Sequence, residues 1–189
     1  MSITPAFELG LWNAWIFMVP ALLFALFFIR LMYEKGAPGG KVRLSKIKMG
    51  FGILSKFIFF PAVIYSIFLP LKLGTMWFYV GLPITLIGLV GNLIVLVNWA
   101  NTPAGKLITR GLYRYSRHPM YVTTVLLLLG VSIASASWVF LVFSIIMGVG
   151  AVYFIKIEEA QLIGHYGVEY LEYKDRTPRW IGRPKSRKE

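Results

Sequence analysis

The chain has 189 residues, of which 57% are hydrophobic and 15% charged, against about 45–50% and about 25% in soluble domains. A soluble fold of this length, with a mean hydropathy of +0.67, could not bury so much apolar surface, so the excess must face lipid. The absence of cysteine excludes disulfides and thiolate chemistry, and only two histidines are present, so no metal site is expected.

Five apolar stretches predict an all-α, integral-membrane bundle of about five transmembrane helices, since each approaches the roughly 20 residues that cross a bilayer. They are Leu9–Leu31, Met49–Leu71, Met76–Trp99, Met120–Ala136 and Ser137–Ile157. The first lacks a basic leader and a cleavage site, so it is predicted to be a retained helix. The last two meet without an intervening charge, which predicts a helical hairpin. The chain is therefore interpreted as one membrane domain, 1–189.

The lysines and arginines are concentrated in alternate connections. They lie in the first and third connections and after the last stretch, including a basic tail at 182–189, and are nearly absent from the other connections. This positive-inside pattern predicts an outside N-terminus and a cytoplasmic C-terminus. The net charge of +12 is then explained by topology and anionic headgroups, and no nucleic-acid partner is expected.

One polar segment with candidate ligand-binding residues immediately precedes the fourth stretch. It ends in Arg117-His118-Pro119-Met120-Tyr121. Proline at a helix start leaves the next backbone amides free, so this end could receive a carboxylate or ribose. Nearby cations, among them Arg110 and Arg114, are equally typical of membrane-interface anchors.

A second polar segment follows the fifth stretch and begins Lys156-Ile157-Glu158-Glu159. Paired acids near anionic headgroups are costly unless they meet a cation, and Lys156 or Arg117 could provide one; this structural interpretation stays open. The residues beyond the acids have helical spacing and predict a C-terminal amphipathic helix that ends before Pro178. This stripe consists of Glu159, Leu162, Ile163, Tyr166 and Tyr170. Arg176, Arg179 and Trp180 are interpreted as interface residues, and His165 is assigned no role.

Together the two segments resemble a known family of membrane enzymes. GLYRYSRHPMY (Gly111–Tyr121), a hairpin, and EEAQLIGHYGVEYLEYKDRTPRW (Glu158–Trp180) are similar to the isoprenylcysteine carboxyl methyltransferases and the related phospholipid N-methyltransferases. The resemblance covers residues 98–180, interpreted as the catalytic half. It implies methyl transfer from S-adenosylmethionine, bound on the cytoplasmic side, to a hydrophobic or membrane-embedded acceptor.

The resemblance also implies the residues that bind the cofactor. Those expected to contact it are Tyr113, His118, Pro119, Met120, Tyr121 and Glu158, with Gly105, Lys106, Leu107 and Ile108 through backbone atoms and Asn98 in place of a glutamine. Chemically, Glu158 and tyrosine faces suit the sulfonium, and Arg117 with His118 suits the cofactor carboxylate. The family's arginine before the paired acids is absent, and Lys156 is the candidate substitute. Glu159 is the candidate proton acceptor for an amine acceptor.

Two other functions stay open at this stage. Membrane sterol reductases also carry an H-P-x-Y element and bind NADPH, and a non-enzymatic scaffold or transporter subunit would explain the hydrophobicity alone. The methyl acceptor is equally open among a prenylated peptide, a phospholipid amine, a quinone-like lipid and a small thiol.

Overall fold

In the computed structural model, residues 7–35 and 59–185 are described, and their regular elements are helical. Apart from an isolated bridge between Asn13 and Pro70, no β-structure occurs in these two ranges. The helices are α1 (Trp15–Lys35), α2 (helical residues 59–67), α3 (Met76–Ala100), α4 (Pro119–Ala134), α5 (Trp138–Tyr166) and α6 (Val168–Arg176), with a 3₁₀ turn at Gly111–Arg114. The predicted all-α class is confirmed for this part of the chain.

The helix bounds agree most closely with the prediction for α3 and differ most for α5. Residues 49–58 of the second predicted stretch lie outside the described ranges, as do residues 186–189 of the predicted basic tail. Helix α5 continues to Tyr166 instead of ending at Ile157, because no proline interrupts it, and it ends at Gly167, whose φ is +56°. The paired acids therefore lie inside a continuous helix, and the amphipathic stripe is divided between α5 and α6.

Two of the described helices, α3 and α5, are long and apolar enough to cross a membrane. The apolar part of α1, Trp15–Leu31, and the 16-residue α4 are shorter. Large apolar side chains such as Ile87 and Leu93 on α3 and Ile145 on α5 are more than half exposed. Such surfaces suit a hydrocarbon environment. The number of spans and the orientation of the termini remain predictions.

Helices α3 and α4 pack against each other in antiparallel orientation through small residues. A Cβ atom on Gly81 would meet the backbone of Ala134, and one on Gly88 would meet the backbone of Leu127. Between these two contacts, Gly130 of α4 lies against the backbone of α3 at Thr85 in the same way. Close approach of backbones at small residues is typical of helix pairs in membranes.

A buried polar contact lies within the same α3–α4 interface. The hydroxyl of Thr123 donates to Oδ1 of Asn92 at 2.5 Å, and Thr124 donates to the same oxygen at 3.3 Å. Asn92 is only 2% exposed, so this contact satisfies a polar group where water is excluded.

An apolar core lies toward the end of the bundle where α4 turns into α5. There Met18 of α1, Leu69, Leu128 and Val131 of α4, and Phe140 of α5 pack together. The turn itself is capped by Ser137, whose hydroxyl accepts from the amide of Phe140 at 3.3 Å. The opposite end, where α3 ends and α4 begins, carries the polar residues singled out in the sequence.

Candidate functional site

The loop between α3 and α4 is fastened to neighbouring helices by three aromatic side chains. Trp99 Nε1 donates to the Tyr113 hydroxyl at 3.0 Å, and the Tyr173 hydroxyl donates to the carbonyl oxygen of Tyr113 at 2.7 Å. The Tyr166 hydroxyl at the end of α5 donates to the carbonyl oxygen of Lys106 at 3.3 Å. These contacts bring both halves of the loop against α5 and α6.

Asn98, in the last turn of α3, lies beside the 3₁₀ turn of this loop. Gly111 has φ +59°, and a Cβ atom there would collide with the Asn98 amide, so this approach requires glycine. The Asn98 Nδ2 atom is buried without a hydrogen-bond partner. A buried amide donor in this state is available to a ligand.

His118 caps the start of α4 and lies between the two adjacent acids of α5. It is 2% exposed, and its backbone amide donates to the Ser116 hydroxyl at 3.1 Å. Its ring Nε2 lies 3.3 Å from Oε1 of Glu159, and its Nδ1 lies 3.6 Å from Oε2 of Glu158. The ring also meets that of Tyr121 edge-on at 6.0 Å. The two predicted polar segments therefore come together at His118.

Glu159 is buried and surrounded by cations. Arg179 forms a fork, with Nη2 2.8 Å from Oε2 and Nε 3.1 Å from Oε1. Nη1 of Arg117, whose side chain is also buried, lies 3.1 Å from Oε1. Such contacts stabilise the ionised carboxylate and occupy both of its oxygens. The structural interpretation, in which a cation offsets the acid, therefore holds for Glu159. Its cations are Arg117, which was predicted, and Arg179, which was not. Lys156, the other predicted cation, is exposed.

Glu158 has different surroundings from its neighbour. Its side chain is 40% exposed, yet Oε2 is buried and has no hydrogen-bond partner. Its charge acts on the hydroxyls of both Tyr113 and Tyr121, and its carboxylate also accepts a hydrogen bond from the Tyr121 hydroxyl. Burial, and secondly this charge, raise the pKa of Tyr113 above its usual value, so its hydroxyl stays neutral. Glu158 thus offers a carboxylate oxygen beside two aromatic rings and an imidazole.

An apolar groove of about 480 Å³ lies between α3 and α4 on the other side of the same loop. Its volume falls within the range of about 300–1,000 Å³ that is usual for small-molecule sites. Its lining includes Val90, Ile94, Leu112, Val122, Leu126 and Ile181. Ser116 and Pro119 also line it, so the groove and the His118 cluster share one stretch of chain.

The predicted site residues have different positions relative to this cluster. The structure brings together Asn98, Tyr113, Arg117, His118, Tyr121, Glu158 and Glu159 at one end of the bundle. Lys106 joins through its carbonyl, Pro119 lines the groove, and Leu107, Ile108 and Met120 are half-buried, while Gly105 and Lys156 are exposed. The role of each of these residues in binding or catalysis stays a prediction.

Sequence reasoning missed the inward role of Arg179 and of Tyr173. Arg179 was interpreted as an interface cation, yet its guanidinium contacts Glu159, and the hydrogen bond to Glu159 raises the pKa of Arg179. A signal existed, because two adjacent acids require more positive charge than Arg117 supplies. Tyr173 follows Tyr170 by three positions and is buried with it, which places it on the same helix face.

Comparison with known families gives one match. Residues 77–169 match the sequence profile of the family described as phospholipid methyltransferase. The matched segment begins in α3, contains the loop, α4 and α5, and ends in α6. No curated protein matches the chain.

Proposed function

We propose that the chain, whose residues 77–169 match the phospholipid methyltransferase family, is a membrane enzyme that transfers a methyl group from S-adenosylmethionine to a membrane lipid. The observation that carries the proposal is Oε2 of Glu158, a buried carboxylate oxygen that has no hydrogen-bond partner and faces His118. A buried carboxylate oxygen without a hydrogen-bond partner is suited to a cationic ligand.

The residues around Glu158 fit the proposed donor. When bound, S-adenosylmethionine supplies an electrophilic methyl group on a sulfonium centre. Glu158 provides the opposite charge, and the rings of Tyr113 and Tyr121 provide faces that attract a cation. Arg117 and His118, at the start of α4, would bind the donor's carboxylate. The Asn98 amide and the backbone of residues 105–108 would contact its adenosine part.

In this proposal the two acids have different roles. Methyl transfer breaks one carbon–sulfur bond as the acceptor's lone pair forms the new bond, so it depends on positioning more than on acid–base groups. An amine acceptor must first lose a proton, and sequence reasoning assigned that proton to Glu159. Because Arg117 and Arg179 stabilise the ionised form of Glu159 and engage both its oxygens, Glu159 is poorly suited to accept that proton. We therefore propose that an amine acceptor loses its proton to water before transfer, while Glu158 stays ionised beside the sulfonium.

We propose that the apolar groove holds an acyl chain of the lipid acceptor. Its walls belong to α3, an apolar helix long enough to span a membrane, and to α4, so an acyl chain can enter it from the bilayer. Its wall also includes Pro119, the residue directly after His118, which supports a position of the lipid headgroup near the cluster. The family's description favours a phospholipid amine as the acceptor.

The membrane arrangement is part of the same proposal. Five spans, an outside N-terminus and a cytoplasmic C-terminus would place the His118 cluster at the cytoplasmic face, because α4 begins there. A soluble donor could then reach the cluster from the cytoplasm while the acceptor remains in the inner leaflet.

Calorimetric titration of the detergent-purified chain tests the donor. S-adenosylhomocysteine, the demethylated product, is expected to bind, and NADPH is not. NADPH binding without S-adenosylhomocysteine binding would support a reductase, and binding of neither would contradict the proposed enzyme.

Vesicles with radiolabelled donor test the acceptor. Label is expected in phosphatidylethanolamine vesicles and not in otherwise equal phosphatidylcholine vesicles, whose amine is already fully methylated. Label transferred only to an added prenylcysteine would instead assign the carboxylate acceptor of the related methyltransferases.

A further inference from the structure

A segment after α6 crosses the loop that carries the candidate site. In residues 177–182, here called the C-terminal strap, the carbonyl oxygen of Pro178 accepts from the amide of Arg117 at 3.0 Å. The amide of Gly182 donates to the carbonyl oxygen of Tyr115 at 3.0 Å. The strap is therefore paired with the loop on both sides of Ser116. It also lies beyond the segment that matches the family profile.

Arg179 is the residue of the strap that reaches into the cluster. Its carbonyl oxygen accepts from the Ser116 hydroxyl at 3.3 Å, and its guanidinium forms the fork to Glu159. An arginine that served only as an interface anchor would direct its guanidinium toward water and headgroups. Here the fork fixes the plane of a buried carboxylate, because two parallel hydrogen bonds prevent its rotation.

The orientation of the Glu159 carboxylate determines that of the His118 ring. Oε1 of Glu159 lies 3.3 Å from Nε2 of His118, while Oε2 contacts Arg179 at 2.8 Å. Arg117 approaches only Oε1, so it cannot replace the fork. With Nε2 held in this way, Nδ1 of the ring faces Glu158. A chain of contacts therefore leads from the strap to the acid that we assign to the donor.

We propose that Arg179 is a positioning residue: it holds the Glu159 carboxylate against His118 and so sets the ring orientation in which Nδ1 faces Glu158. Arg179 acts through other residues and does not itself contact the donor. The ring orientation follows from the contacts alone, whereas its effect on donor binding rests on the proposed function.

The ring nitrogens of His118 provide a direct readout. The chain has two histidines, and the second, His165, is exposed, so ¹⁵N-imidazole labelling of protein without a histidine tag gives an internal control. Arg179→Gln is expected to shift the His118 resonances and leave those of His165 unchanged. Arg179→Lys should cause a smaller shift in the same direction, because an ammonium keeps the charge but not the fork.

A matched control separates this effect from a general loss of positive charge. Arg176→Gln removes an exposed arginine of α6 whose carboxylate contact is Glu172 at 4.0 Å, so it should move neither histidine. Thermal unfolding identifies any variant that fails to fold, in which case the milder Arg179→Lys decides. Unchanged His118 resonances in the folded Arg179 variants would overturn the proposal.

Binding of S-adenosylmethionine gives a second readout. Arg179→Gln should weaken it about tenfold in the wild-type background and much less in a His118→Ala background, because residues that act through one another are not additive. An equal loss in both backgrounds would contradict action through His118. If the wild-type chain does not bind S-adenosylmethionine, the proposed function fails, while the His118 resonances still decide the role of Arg179.

Discussion

The α3–α4 interface and the His118 cluster are stabilised in different ways, although α4 contributes to both. In the interface, Gly81 and Gly88 of α3 and Gly130 of α4 bring the two backbones together. In the cluster, charged groups come from segments far apart in the chain, since Arg117, Glu159 and Arg179 belong to the loop, α5 and the strap. The interface depends on the absence of side-chain atoms, and the cluster depends on the balance of charge.

This difference teaches which substitutions each region can tolerate. Added volume is costly in the interface, because neither backbone can move without disturbing the rest of the helix pair. In the cluster, replacing an acid by its neutral isostere keeps the packing volume but leaves the buried cations without an opposite charge. Variants that change only volume or only charge therefore distinguish the two regions.

Glu159→Gln is expected to have the largest effect. It keeps the size of the side chain but removes the charge that offsets Arg117, which is buried, and Arg179. Removing one partner of a buried ion pair costs about 3–5 kcal/mol; we expect the lower value, about 3 kcal/mol, because the Arg179 side chain is 39% exposed. The free energy of unfolding in detergent measures it.

Glu172→Gln is the control for this loss. It removes an acid that also pairs with an arginine, but on the exposed face of α6. Its effect should lie below about 1 kcal/mol. Equal losses in the two variants would show that burial does not distinguish the cluster from a surface ion pair.

Gly88→Ala is expected to have the next largest effect, about 2 kcal/mol, because its Cβ would overlap the backbone of Leu127. Thermal unfolding would measure the loss. Gly148→Ala is the matched control within α5, where the nearest atoms lie 4.0 Å away on Val125. A Gly88→Ala protein as stable as the Gly148→Ala protein would mean that α3 and α4 are not closely packed.

The sequence predicts the bounds of α3 better than the cluster, for a physical reason. A helix span is encoded by contiguous apolar residues, so the prediction for α3 ended at Trp99, one residue before the helix ends. The extension of α5 was missed because its charged residues suggested an end at the membrane surface, whereas helix propensity continues until Gly167.

For the cluster, the motifs predicted which residues come together but not how they are partnered. The proximity of His118 to both acids followed from the family resemblance, not from local pattern. Which acid is paired and which is available depends on Arg179, 20 positions after Glu159 and beyond a separate helix. Contacts at such separations are fixed by tertiary packing and have no periodic signature in one sequence.

Glu158→Gln should reduce binding rather than stability. The Glu158 side chain is 40% exposed, and a glutamine can still accept a hydrogen bond from the Tyr121 hydroxyl, so the melting temperature should change little. Affinity for S-adenosylmethionine should fall about tenfold, or about 1.4 kcal/mol, because a sulfonium loses its opposite charge. S-adenosylhomocysteine, which is not a sulfonium, should lose less. Equal losses of affinity for the two ligands, measured by calorimetry, would show that Glu158 does not contact the sulfonium.

Lys156→Met is expected to have the smallest effect. Lys156 lies two positions before Glu158, which places the two side chains about 200° apart around α5. It is exposed, so stability should stay within about 0.5 kcal/mol of the wild type and the affinity for S-adenosylhomocysteine should not change. Methylation kinetics test its remaining predicted role as the substitute for the family's arginine. With a phosphatidylethanolamine acceptor, KM should also be unchanged. A raised KM for an anionic prenylcysteine, at unchanged donor affinity, would instead show that Lys156 contacts the acceptor's carboxylate.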